Sequence, residues 1–218
     1  MASNIPSRID WQALVELQPV LETVPARLRA VAEHQEIEAG EPLFRLGDPL
    51  RGVFCVVSGE VRLVRRAKNG TEIILQRSRG GFFAEASLYG KAYHCDAVAA
   101  QSGAVLWFPA RAFRVALGMD VMFREAWMVH LAQEVRRLRA QCERLGLNTA
   151  AQRIVHYVDS EGTNGAVILT GSRKAWAAEL GLTHEALYRT LRRLQADGTL
   201  EVRAERIALV HRKDVLRP

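Results

Sequence analysis

Residues 172–194 read SRKAWAAELGLTHEALYRTLRRL, and this stretch decides how the C-terminal third of the chain folds. Ser172 and Thr183 are residue types that cap helix N-termini, and Gly181 permits a tight turn between two helices. The spacing predicts helices over 173–180 and 184–196, packed as a helix-turn-helix. The apolar residues expected to join the two helices are Trp176, Ala177, Leu180, Leu187, Leu191 and Leu194.

The outer face of the second helix is polar, because its apolar residues form a single stripe at about 100° per residue. Glu185, Arg189 and Arg192 occupy that face, with His184 and Tyr188 on its flank. Arginine can donate two parallel hydrogen bonds to guanine, and glutamate can accept one from the cytosine amino group. Alone, such residues more often form a solvated pair, but within a helix-turn-helix they indicate base reading.

Residues 200–210 alternate between apolar and polar types across a short polar turn, which predicts a β-hairpin wing. Arg203 and Arg206 fall at its tip. They either contact phosphates or are simply exposed, and both interpretations stay open. The predicted DNA-binding residues are Ser172, Arg173, His184, Glu185, Tyr188, Arg189, Arg192, Arg203 and Arg206.

Residues 43–108 are rich in β-branched and aromatic types with glycines between them, which predicts a meander of short strands. Segments 53–57 and 61–64 are predicted as two strands joined by a turn at 58–60. Asn69-Gly70 predicts a tight hairpin. An antiparallel barrel or sandwich fits this pattern best.

From about Met119, the apolar residues follow alternating steps of three and four, which predicts a long helix ending at Gly146. The apolar seam comprises Val121, Met128, Leu131, Val135, Leu138, Cys142 and Leu145. A coiled coil and an amphipathic helix lying on its own domain explain this periodicity equally well. The arginines outside the seam are expected on a solvated face, and they are Arg136, Arg137, Arg139 and Arg144.

Composition narrows the class of protein. The 218 residues carry a formal charge of +6, which mildly favours a polyanionic partner. The three cysteines are odd in number and irregularly spaced, which favours a reducing compartment. No signal peptide or membrane-spanning run is recognisable, so we expect a cytoplasmic protein without a membrane partner. No catalytic or metal-binding motif stands out, so we expect no enzyme.

The chain resembles the cyclic-AMP receptor protein and fumarate-nitrate-reduction regulator (Crp/Fnr) family. LFRLGD at 43–48, VVSGEV at 56–61 and FFAEASLY at 82–89 are similar to successive strands of the family's sensor. Glu185 and Arg189 resemble its recognition-helix signature. The resemblance implies an α+β fold with an N-terminal antiparallel β-barrel of the cyclic-nucleotide-binding jelly-roll type, then a dimerisation helix and a winged helix-turn-helix. The implied domains are 1–118, 119–146 and 147–218.

The resemblance also favours the coiled-coil interpretation of the seam, with a dimer interface formed by Met128, Leu131, Val135, Leu138 and Leu145. It implies a homodimeric transcription regulator that binds a two-fold symmetric site in double-stranded DNA and contacts RNA polymerase. A regulator controlled by expression level alone is one alternative. Another is a cyclic-nucleotide-type signalling module whose C-terminal domain binds protein partners.

The effector pocket that the resemblance implies comprises Phe83, Ala84, Glu85, Cys95, Asp96, Gln141 and Cys142. Cyclic-AMP-binding members have Gly-Glu where this chain has Ala84-Glu85, and Arg-Ser where it has Cys95-Asp96. One cation is lost and one carboxylate is gained, so the sequence predicts that cyclic AMP is not the effector. Arg77 or Arg79 is the conceivable compensation, reaching the pocket from the preceding segment.

Other sensing chemistries have little support in the sequence. No cysteine precedes Cys55, which excludes the N-terminal iron–sulfur cluster found in some members of the family. Ligation of haem or a metal by His94 and Cys95 is a weak alternative, because adjacent residues of a strand face opposite sides. Thiol sensing by Cys55 or Cys142 also stays open. We predict no cofactor, and the effector is not identified.

Overall fold

The computed structural model describes residues 9–66, 72–169 and 171–210, and the chain forms two compact units, Met1–His130 and Leu131–Pro218. The first unit contains α1 (Trp11–Leu17), α2 (Ala26–Arg29), β1 (Glu33–Ile37), β2 (Pro42–Phe44), β3 (Gly52–Arg66), β4 (Glu72–Ser78), β5 (Gly81–Phe83), β6 (Asp96–Pro109), α3 (Ala110–Met119) and the start of α4 (Val121–Gly146). No helix of the described residues is long and apolar enough to cross a membrane.

The strands form one six-stranded antiparallel sheet in the order β1-β6-β3-β4, with β2 also on β6 and β5 also on β3. Among the described strands, β1 and β4 are the two ends of this order and do not pair with each other. The sheet is therefore open, and the predicted closed barrel is wrong. The predicted meander is wrong as well, because β6 pairs with β1, β2 and β3, which precede it by many residues.

β3 is one continuous strand, where the sequence predicted two strands joined by a turn. Gly59 has a φ of 81°, and a Cβ there would lie 2.7 Å from the carbonyl oxygen of Ser102. The register with β6 shifts at this point, between Val56 and Val61. The glycine thus permits a bulge that bends the strand without reversing it. The predicted hairpin at Asn69-Gly70 lies outside the described residues.

The interior of the first unit is apolar and rich in aromatic rings. Phe44 lies 3.8 Å from Tyr93 and 5.7 Å from Phe54, between ring centroids, and Phe54 lies 5.1 Å from Phe83. Val56, Val61 and Leu63 of β3 complete this cluster with Cys95, Ala97 and Val105. Packed rings of this kind hold the inner face of the sheet in one arrangement.

The second unit contains the rest of α4, then α5 (Ala150–Glu161), β7 (Ala166–Ile168), α6 (Arg173–Glu179), α7 (His184–Ala196), β8 (Leu200–Arg203) and β9 (Arg206–Leu209). The three strands form a small antiparallel sheet in the order β7-β9-β8. α5 begins at a capping box, in which Thr149 accepts from the Gln152 amide and the Gln152 side chain accepts from the Thr149 amide.

Helix α4 exposes most of its predicted seam. Met128, Val135, Leu138 and Leu145 are between 46% and 57% exposed, and Leu131 is half-buried. Arg144 was predicted on the solvated face, and this is wrong, because its side chain is 3% exposed. It is buried by an ion pair with Glu161 and by the ring of Tyr157. Neither partner is a neighbour in sequence.

Candidate nucleic-acid interface

Helices α6 and α7 are joined by a tight turn with the predicted caps in place. The Ser172 hydroxyl accepts from the Ala175 amide at 3.2 Å, and the Thr183 hydroxyl accepts from the Ala186 amide at 3.1 Å. Gly181 lies in the turn with a φ of 65°, which favours glycine. Ser172 therefore has a structural role at the α6 N-terminus, and a DNA contact by it stays a prediction.

Arg153 of α5 fixes this turn from outside, and the sequence analysis missed it. Its guanidinium donates to the carbonyl oxygen of Leu147 at 3.0 Å and to those of Leu180 and Gly181 at 3.3 Å. These bonds satisfy carbonyls at the C-terminal end of α6. No local pattern marks Arg153, because its partners lie up to 28 residues away.

The outer face of α7 presents the predicted base-reading residues together. His184, Glu185, Tyr188, Arg189 and Arg192 are exposed and line one concave surface. Leu187, Leu191 and Leu194 are buried on the opposite side. Within the described residues, no ion pair engages Glu185, Arg189 or Arg192. Their hydrogen-bonding groups are therefore available to a ligand.

Arg173 and Tyr188 connect α6, α7 and the β8–β9 turn. The Arg173 guanidinium donates to the Ala204 carbonyl at 2.6 Å and lies 5.6 Å from the centroid of the Tyr188 ring. The centroid of the Tyr188 ring also lies 4.6 Å from that of the His184 ring. Arg173 thus holds the hairpin turn beside the N-terminus of α7, and its contact with DNA stays a prediction.

The hairpin tip carries no net charge. Arg203 and Arg206 face each other across β8 and β9, as predicted. Both pair with Glu201, at 2.5 Å and 3.6 Å, and Glu205 is exposed in the turn between them. Two carboxylates therefore offset the two arginines, which weakens the attraction of the tip for phosphate. The outer face of α7 retains an excess of positive charge.

The predicted effector pocket is only partly assembled within the first unit. Phe83, Ala84 and Cys95 are buried together in its core, and Glu85 begins a short 3₁₀ turn after Ala84. Ala84 has a φ of 67°, a left-handed conformation that is strained for alanine. Gln141 and Cys142 lie on α4 in the second unit, half-buried and exposed respectively.

Charges near Cys95 differ from those expected. Asp96 Oδ1 accepts from the Leu46 amide at 2.7 Å and holds the loop after β2. Arg77 and Arg79 both pair with the buried Glu60, at 2.5 Å and 2.7 Å, so their charges are engaged there. Compensation by either arginine would therefore require it to leave Glu60.

Arg65 is a cation beside this segment that the sequence analysis missed. Its Nε and Nη2 donate to the carbonyl oxygen of His94 at 2.9 Å and 2.7 Å. Burial, and then the charge of Arg65, lower the pKa of His94. His94 Nδ1 lies 2.7 Å from the Ser87 hydroxyl, which keeps the ring fixed.

Two of the three cysteines are buried thiols. Burial raises the pKa of Cys55 to about 12 and that of Cys95 to about 11. Both are free and remain protonated at neutral pH, where thiolates are the reactive form. Cys142 is exposed. Thiol sensing at Cys55 therefore has little chemical support.

Comparison with known proteins identifies the N-terminal domain and relatives of the whole chain. Residues 34–119 match the cyclic nucleotide-binding domain. FixK2 from Bradyrhizobium japonicum is 27% identical, with a TM-score of 0.65 over 85% of this chain and 96% of that one. Electron transport regulator A of Shewanella oneidensis is 23% identical over 94% of this chain and 82% of its own length.

A solved CRP/FNR-family transcriptional regulator from Thermus thermophilus has the same fold. It is 23% identical, with a TM-score of 0.57 over 84% of this chain and 96% of that one. Two of these three proteins, electron transport regulator A and the Thermus thermophilus protein, are named as regulators. The predicted resemblance to this family is therefore confirmed.

Proposed function

The chain has a cyclic nucleotide-binding domain and resembles a Crp/Fnr-family transcription regulator along most of its length. We therefore propose that it is a sequence-specific DNA-binding regulator. α6, α7 and the β8–β9 hairpin form its winged helix-turn-helix, with α7 as the recognition helix. It has no catalytic role. The observation that carries the proposal is the outer face of α7.

The outer face of α7 suits a major groove because its polar side chains are exposed, are engaged in no ion pair in the described part of the chain, and lie on a helix that is held in place. Glu185, Arg189 and Arg192 are exposed, and no ion pair within the described residues engages them. α7 is held from behind by buried leucines and at its N-terminus by Thr183. Rigid donors and acceptors on one helix face can match the edges of two or three successive base pairs.

The homodimer part of the proposal rests on α4. Exposed Met128, Val135, Leu138 and Leu145 recur at coiled-coil spacing. Contiguous apolar surface of this kind usually marks an interface. A two-fold dimer would present two α7 helices to major grooves about 34 Å apart, which requires a two-fold symmetric site.

The effector is proposed to be a molecule other than cyclic AMP, or none. Cys95 replaces the arginine that would hold the cyclic phosphate, and Asp96 adds a carboxylate beside it. We propose no cofactor and no iron–sulfur cluster. The partners are double-stranded DNA, a second copy of the chain and RNA polymerase, and the protein acts in the cytoplasm.

Selection of bound duplexes from random DNA tests this function. The full chain should enrich a two-fold symmetric sequence with half-sites about one helical turn apart. Binding should persist at moderate salt, because base contacts add to phosphate contacts. Recovery of unenriched sequences, with affinity that disappears as salt is raised, would contradict the proposal and favour the protein-binding alternative.

A further inference from the structure

A second cavity, separate from the predicted effector pocket, lies in the first unit beside the start of β1. It has a volume of about 470 Å³ and shares no lining residue with that pocket. Its walls include Phe44, Tyr93 and Trp107, and its charged lining residues are Glu33, Asp48 and Arg51. Small-molecule sites typically have volumes of about 300–1,000 Å³.

The cavity exists because the inner face of β1 is polar at its beginning. Glu33 pairs with Trp107 across the sheet, so both side chains lie on the same face as Gln35 and Ile37. Ile37 is buried in the core, whereas Gln35 is half-buried and Glu33 is exposed. The apolar core therefore extends along β1 only as far as Ile37, and the cavity lies beside Glu33 and Gln35.

The aromatic lining of the cavity is rigid. Phe44 and Tyr93 are stacked with an interplanar angle of 11°. The Tyr93 hydroxyl accepts from the Gly52 amide at 3.0 Å and donates to the Gly52 carbonyl at 2.9 Å, so its hydrogen-bonding capacity is used. A Cβ at Gly52 would overlap Nε1 of Trp107, so the indole lies directly against this backbone.

The charged groups around these rings have unused capacity. No hydrogen bond or ion pair within the described residues engages the Arg51 guanidinium. In the part of the chain that the structure describes, the Glu33 carboxylate has a single long hydrogen bond, which it accepts from Gln35 at 3.4 Å. Asp48 uses Oδ2 to accept from the Arg45 amide, and no described residue donates to its Oδ1. One cation and two carboxylates thus lie around the aromatic rings that line the cavity.

We propose that this cavity binds a small zwitterionic aromatic molecule with the chemistry of an aromatic amino acid. The ligand's carboxylate pairs with Arg51, its ammonium group pairs with Glu33 and Asp48, and its ring packs against Phe44, Tyr93 and Trp107. Opposite charges on the ligand match opposite charges on the lining, and the rings supply the buried apolar surface. The site does not depend on DNA binding.

Titration calorimetry on the full chain, with L-tryptophan as the probe, tests the proposal. We expect saturable binding of one molecule per chain. Tryptamine, which lacks the carboxylate, and indole-3-propionate, which lacks the ammonium group, should each bind at least about tenfold more weakly. Absence of saturable heat with millimolar L-tryptophan would overturn the proposal, and so would equal binding of the three probes.

Two variants and a matched control locate the site. Arg51→Gln and Glu33→Gln should each weaken L-tryptophan binding at least about tenfold, because each removes one charged contact. Arg45→Gln removes an exposed arginine nearby that does not line the cavity, and it should leave binding unchanged. Equal losses in Arg51→Gln and Arg45→Gln would place the ligand elsewhere. DNA selection with the same proteins reports on the proposed function independently.

Discussion

The Arg144 guanidinium and the Glu161 carboxylate form an ion pair of 2.8 Å, with the arginine side chain almost completely buried. The guanidinium also lies 4.6 Å from the centroid of the Tyr157 ring. The pair joins the last turn of α4 to the last turn of α5, and α5 packs against α7. The helix proposed to dimerise is thereby connected through packed elements to the proposed recognition helix.

Replacing Arg144 with Met should destabilise the second unit, because it leaves the Glu161 carboxylate partly buried without its cation. We expect a loss of about 2–4 kcal/mol, somewhat less than for a fully buried pair, because the Glu161 side chain is 23% exposed. Urea unfolding measures the change. Arg139→Met, an exposed arginine on the same helix, should change stability by less than about 0.5 kcal/mol.

The double variant Arg144→Met/Glu161→Gln separates the ion pair from simple loss of packing. Removing the orphaned charge should recover part of the stability lost in Arg144→Met, which a double-mutant cycle measures. Strictly additive effects would show that the two side chains do not interact.

Placing Asp at both Leu131 and Leu138 should separate the proposed dimer, because two carboxylates per chain would be buried in the seam. Sedimentation equilibrium should show a monomer. Gln133→Asp/Arg136→Asp adds the same number of carboxylates at exposed positions outside the seam and should remain a dimer. A dimeric Leu131→Asp/Leu138→Asp protein would mean that the seam is not the interface.

Arg189→Ala should weaken binding to the selected DNA site by roughly 1–3 kcal/mol and relax the preference at one base pair. Fluorescence anisotropy with the site and its single-base variants measures both effects. Arg193→Ala removes an equal charge from an exposed position of α7 outside the concave surface. It should preserve the base preference, and an unchanged preference in Arg189→Ala would remove the base-reading role.

Cyclic AMP should bind at least about tenfold more weakly than to a pocket with an arginine, because one charge-assisted hydrogen bond is lost. Calorimetry on the unmodified chain, and on Cys95→Arg/Asp96→Ser, measures this. Asp96→Asn is a useful control because it removes the charge and keeps an acceptor for the Leu46 amide. Micromolar binding by the unmodified protein would contradict the prediction and implicate Arg65, beside His94.

Stability should fall in alkaline solution because of Cys55 and Cys95. Below pH 9, both thiols are protonated in the folded and unfolded states, so they contribute no pH dependence. Above the ordinary pKa of 9.0, unfolded thiols ionise, while burial keeps them protonated in the fold until about 11–12. The unfolded state is then favoured by up to about 1.4 kcal/mol per thiol per pH unit.

Urea unfolding between pH 8 and 10.5 measures this slope. The Cys55→Ala/Cys95→Ala variant should be less stable at pH 8, because two cavities form, but its stability should fall less steeply with pH. An equal slope in the two proteins would show that the thiols do not control the alkaline transition.

The helix pair of the second unit was predictable from the sequence alone, with α7 beginning and ending where its spacing placed it. The signals for this helix pair are local. Ser172 and Thr183 each accept from the amide three residues later and so cap the helix that follows, and Gly181 makes the turn between the helices. The leucine stripe repeats within one helix. The exposed face with Glu185 and Arg189 follows directly from that stripe.

Only the tertiary structure decided how the strands of the first unit pair and which polar groups are buried. Gly59 is compatible with a turn or a bulge, and pairing with β6, more than 40 residues later in the chain, selects the bulge. Arg144 is buried by Glu161 and Tyr157, and the cavity beside Glu33 depends on the pairing of β1 with β6. Such contacts join distant segments, so no pattern within one segment specifies them.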